Sequence, residues 1–157
     1  MTPASQRLLK SLHTEIALIQ RFLLALQAES RALESPDLPD ALSASTLKKN
    51  ACADLLTRAN HERGGILQEL GFSDDRQGLE SAAQDQPSLQ AAVRELLELA
   101  EQARQLNGAN GAIIDVHLKH TQQTLDGLRA LTGENTLYDA SGRTRKTTGN
   151  QRNIKAG

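Results

Sequence analysis

His117 and His120 stand one helical turn apart, a spacing that could hold a metal ion or carry a phosphoryl group. A carboxylate-bridged metal site in a helical bundle needs Glu-x-x-His. The residues three before His13, His61, His117 and His120 are Lys10, Arg58, Ile114 and His117, so that motif is absent. Zinc calls for further ligands, and Cys52 is the only cysteine. The segment VHLKH approaches a His-phosphotransfer pattern of His followed by Leu-Lys-Gly. Lys119, however, follows His117 by two places rather than three, and no Gly follows it. Neither phosphate-binding glycine pattern, G-x-x-x-x-G-K-[ST] nor G-x-G-x-x-G, occurs; SGRTRKTTG has the residue types in another order. No Ser-His-Asp or Cys-His arrangement can be built around Cys52. The histidines read as helix-surface residues, and the chain as a non-enzyme with no catalytic, cofactor-binding or metal-binding residues and no cofactor.

Composition narrows the partners. A formal charge of -1 gives no global attraction to nucleic acid or anionic lipid. Phe22, Phe72 and Tyr138 are the only aromatics, too few for a base-stacking platform. The basic tail could touch nucleic acid only non-specifically. The most apolar N-terminal run, IALIQRFLLAL, contains Gln20 and Arg21, is too short to span a bilayer, and lacks a small-residue cleavage site. A single cysteine excludes an internal disulfide and suits a reducing compartment. The expectation is a cytoplasmic protein with no nucleic acid partner and no membrane insertion.

The elements behind these residues read as helices, since Leu, Ala, Gln, Glu and Arg dominate. The first helix runs from Pro3 to Leu33, capped by Thr2, with Leu9, Leu12, Ile16, Ile19, Leu23, Leu26 and Leu33 along an apolar seam. Two prolines in SPDLPD end it. The second runs from Pro39 to Leu70 and closes at Gly71. Its seam passes through Leu42, Lys49, Ala53, Leu56, Asn60, Arg63, Leu67 and Leu70, far more polar in the middle than the first. Gly64 and Gly65 there allow a kink or a close approach. A short helix near Arg76–Ala83 precedes Pro87.

The third long helix, capped by Ser88, extends to Thr132 through two Asn-Gly pairs that ordinarily mark turns. Residues eighteen apart share a face of a straight helix. Leu89, Asn107 and Leu125 form one such row, and Leu96 with Ile114 another, so the apolar pattern resumes in phase. This row places Asn107 inward, among buried side chains. Helices one and two come to ~45–48 Å and helix three to ~65 Å at 1.5 Å per residue. In an antiparallel bundle, about 20 Å of helix three would overhang, carrying Leu118, Leu125, Leu128 and Leu131; an uncovered apolar stripe usually serves a partner. Asn110 and Gly111 then mark where the self-covered part gives way to the partner-facing part. Gly111→Leu is expected to impair partner binding or bundle packing. After Thr132, residues rich in Gly, Asn, Ser, Thr and basic side chains bury too little to order alone. Leu137, Tyr138 and Ile154 are the tail's only sizeable apolar anchors.

The fold expected is therefore all-α: an antiparallel three-helix bundle with long helices over residues 1–132, a short extra helix between helices two and three, and a flexible basic C-terminal tail over 133–157. Candidate partner-binding residues are Asn107, Asn110, Gly111, Ile114, Leu118, Thr121, Leu125, Leu128, Leu131, Leu137 and Tyr138. A self-associating structural bundle is the rival reading, in which a second copy covers the stripe; His phosphotransfer is the minor one.

Asn107-x-x-Asn110-Gly111-x-Ile113-Ile114, then HTQQTLDGLRALTG, then Leu137-Tyr138-Asp139-x-x-Gly142, resembles the FlgN family, flagellar type III export chaperones for the hook-associated junction proteins. The resemblance implies a small cytoplasmic helical chaperone. It would bind junction proteins through their terminal helices, prevent premature association, and deliver them to export gate components. It also implies that cargo binds the C-terminal part of helix three and the tail, with the segment around Tyr138 docking at the gate. Gly108, the Gly64-Gly65 pair and the basic extension after Gly142 depart from the family pattern.

Overall fold

The computed structural model describes residues 1–35, 39–132, 136–138 and 144–146. The last two stretches and residues 39, 117, 118, 120, 121 and 132 are described as backbone alone. Helix α1 spans Pro3–Glu34, α2 Pro39–Glu69, α3 Arg76–Asp85 and α4 Gln90–Thr132, with a 3-10 turn at Pro87–Leu89 before α4.

The helix ends follow local chemistry. The Thr2 hydroxyl accepts the Ser5 N–H at 3.1 Å and Pro3 occupies the first turn, where its missing N–H costs nothing. Gly71, at φ +86°, lets α2 close: the Phe72 N–H donates to Leu67 O at 2.9 Å and the Gly71 N–H to Gln68 O at 3.0 Å. Asp75 caps α3 by accepting the Gly78 N–H at 2.9 Å. Ser88, expected as the cap of the third long helix, lies inside the 3-10 turn, because Pro87 starts a tight turn one residue earlier.

The buried seams step three and four residues, the period of a left-handed supercoil. In α1 the buried or half-buried line is Ser5, Leu8, Leu12, Glu15, Ile19, Phe22, Leu26 and Glu29. In α2 it includes Leu42, Lys49, Leu56, Arg63 and Leu70. The helices run antiparallel, since Glu15 pairs with Arg63 and Glu29 with Lys49 in reversed order. Leu79, Ala82 and Ala83 of α3, Leu89 of the 3-10 turn, and Ala92, Val93, Leu96 and Ala103 of α4 join the same core. Leu8, Leu12, Leu26, Leu67, Leu79, Leu89 and Leu96 are each 2% exposed or less. Each fully buried leucine stabilises the fold by about 1.5–3 kcal/mol.

The chain divides into two compact units, Met1–Gly111 and Ala112–Gly157. The second contains the end of α4 and two short strands, β1 (Thr136–Tyr138) and β2 (Thr144–Lys146). They pair antiparallel, Thr136 with Lys146, Leu137 with Arg145 and Tyr138 with Thr144. The tail was expected to have no regular structure of its own. The pairing follows from two Thr-led triplets separated by five residues that include Gly142, a hairpin spacing. Among the described residues, no helix is long and apolar enough to cross a membrane.

Candidate functional site

The expected partner-binding residues fall into two environments. Asn110 is 1% exposed, the last buried residue of α4; no described residue after it is buried. Its side-chain amide donates to Leu26 O at 3.0 Å and to Glu29 Oε1 at 3.2 Å. Glu29, itself fully buried, also accepts the Thr46 hydroxyl at 2.9 Å and the Lys49 ammonium, which lies 2.9 Å from Oε2. One carboxylate thus gathers donors from α2 and α4 while projecting from α1.

Asn107, expected inward, is exposed. The row of residues eighteen apart assumes a straight helix, whereas the buried line of α4 runs Leu89, Leu96, Ala103, Asn110, every seventh residue. A seven-residue repeat drifts ~20° per heptad from the straight-helix phase. Three heptads carry the seam about 60° away, the offset between Asn107 and Asn110. The amide that meets the core is therefore the second Asn of the two Asn-Gly pairs.

Beyond Gly111 several large apolar side chains are accessible, interspersed with Asp115, Lys119, Asp126 and other polar residues. Ile113 is 42% exposed, Val116 66%, Leu125 40%, Leu128 54% and Leu131 85%, and Ile114 is half-buried. Leu118 and Thr121 lie in α4 and Leu137 and Tyr138 in β1, but their side chains fall outside the described residues, as do those of His117 and His120. A Cβ at Gly111 would meet nothing within 4 Å. Close packing against a Cβ is therefore not what requires glycine there.

Sequence reasoning missed Glu15 and Glu29. Lys49 and Arg63 were the available signal: two cations on an inward seam require buried anions opposite. Arg63 Nη1 lies 2.5 Å from Glu15 Oε1 and Arg63 Nη2 3.0 Å from Asn60 Oδ1. Among the described residues, Glu15 Oε2 and Arg63 Nε have no hydrogen-bond partner. The first unit also carries exposed, tightly bonded ions. The Glu101 carboxyl is held down to about 2 by hydrogen bonds from Arg104 first and Gln105 second, and the same pairing raises Arg104. No group of three or more potential metal ligands is found among the described residues.

The arrangement is thus an interhelical polar node followed by a run of exposed apolar side chains on one helix. The sequence profile of the FlgN protein family matches residues 1–146. The chain belongs to the FlgN family. The crystal structure of a Pseudomonas aeruginosa flagella synthesis protein FlgN is similar, with 34% sequence identity and a TM-score of 0.62, over 72% of this chain and 90% of that one. No curated protein matches. Membership gives this FlgN protein a flagellar role, and its partners are to be sought among flagellar proteins.

Proposed function

We propose that this FlgN protein is a cytoplasmic export chaperone that binds hook-associated junction proteins through their terminal helices, prevents their premature association, and delivers them to the export gate. The observation that carries this reading is the run of exposed apolar side chains from Ile113 to Leu131 in a member of a flagellar family. An amphipathic cargo helix laid on that run would bury its own aggregation-prone face. Leu118, Thr121, Leu125, Leu128 and Leu131 supply the contact, Ile114 its edge, and Asn110 and Gly111 mark its start. Residues 133–157 form the tail that closes over bound cargo, with Leu137 as an anchor and Tyr138 at the gate-docking segment.

The test is calorimetric titration of the full chain, and of a version ending at Thr132, with a hook-associated junction protein. Tight one-to-one binding that weakens without the tail supports the reading. No heat from folded components in either titration overturns it. The same exposed leucines could instead pair two copies of the chain; an oligomeric state that shifts with dilution would then accompany the absence of binding.

A further inference from the structure

The Glu29 node is more fully satisfied than its counterpart at Glu15. Glu29 accepts from Thr46, Lys49 and Asn110, and the Asn110 amide donates to two acceptors. At Glu15 one carboxylate oxygen and one guanidinium nitrogen go without. Buried ionic and amide groups contribute little net stability compared with packed leucines. Their best-attested use on a heptad seam is to specify register.

The register question is acute for α4. Its seam positions before Asn110 are Leu89, Ala92, Leu96, Leu99, Ala103 and Leu106. Up to Ala103 a slip of seven residues exchanges one apolar side chain for another, Leu89 for Leu96, Ala92 for Leu99, Leu96 for Ala103 and Leu99 for Leu106. The α1–α2 register is already fixed: its two ion pairs sit fourteen residues apart on both helices, and a one-heptad slip opposes buried charges with leucines such as Leu56. On α4 the discriminating seam residue is Asn110. A slip in either direction brings residue 103, an alanine, or residue 117 to the place of Asn110, leaving Glu29 and Leu26 O without the amide.

We infer that Glu29, Lys49, Thr46 and Asn110 form a register lock that fixes α4 against α1 and α2, so that the buried seam ends at one defined residue and the apolar run always starts at Ile113. Asn110 is thus a positioning residue rather than a cargo contact. The lock serves the docking reading above, but it is tested on the free chain without any partner.

The experiment places spin labels at Gln6→Cys on α1 and Ala109→Cys on α4, both exposed positions well offset along the helices, in a chain carrying Cys52→Ser. A slip of one heptad displaces the α4 label by ~10 Å along the helix. The parent chain is expected to give one distance. Asn110→Leu is expected to stay helical with an unchanged or higher melting temperature and to show a second distance population, displaced by that amount. Asn110→Ala, which removes the amide without adding bulk, should also split the distribution. A single unchanged distance in both folded variants, whatever their melting temperatures, overturns the lock and leaves register to the connection through α3. Binding of junction protein, measured separately, decides the chaperone reading without bearing on this result.

Discussion

At the scale of single residues, glycines in this chain have opposite meanings. A Cβ on Gly78 would lie 1.8 Å from Ser73 O, because the loop carrying the Asp75 cap folds against the first turn of α3. Gly78→Ala is therefore expected to destabilise the protein by about 1–3 kcal/mol, measured by urea unfolding. Gly108 and Gly111 face open space inside α4, and replacing either with Ala should stabilise by about 1 kcal/mol through helix propensity. Glu101 supplies a pH test. A carboxyl whose folded value is lowered contributes stability above its unfolded value, and that contribution is lost as pH falls through the folded one. The Glu101–Arg104 contact should thus persist from neutral pH down to about 2, read by carboxyl NMR titration, and Arg104→Gln should raise the midpoint. The turn chemistry at Thr2 and Gly71 was legible in sequence because each acts on its immediate neighbours. The burial of Asn110 was not, since a straight-helix phase misses the drift that supercoiling accumulates over three heptads.

At the scale of elements, α1 and α2 are held together by leucines and set in register by two buried ion pairs. Removing one member of a buried ion pair strands the other. Arg63→Met is expected to cost about 3–5 kcal/mol in chemical unfolding, while Glu15→Leu combined with Arg63→Met should recover most of that loss. A double variant no more stable than the single one would show that Glu15 does not need its partner. All three long helices and the short one could be read from periodicity, prolines and Gly71, and their ends fell within a few residues of expectation. The acidic half of each ion pair escaped that reading because Glu15 and Glu29 look like ordinary surface residues of an amphipathic helix. Their burial follows from Lys49 and Arg63 on a different element. The strand pairing was missed for a related reason: two triplets are weak signals, and the composition around them argues for disorder.

At the scale of the whole molecule, the family was legible in the Asn-Gly-Ile and Leu-Tyr-Asp blocks, and the accessible apolar side chains of α4 in its length relative to α1 and α2. Leu125→Asp with Leu128→Asp should abolish binding of a hook-associated junction protein, seen by calorimetry, with helical circular dichroism retained; undiminished binding would remove these leucines from the docking surface. One buried atom offers a different kind of access to the fold. Cys52 is 8% exposed on α2, in a chain with no second thiol. An alkylating reagent supplied in excess can react with it only while α2 is open, so the labelling rate becomes a clock for that opening, wound into the protein and needing no substitution. Run with and without cargo, the clock reports whether holding a partner at α4 is felt across the molecule at α2.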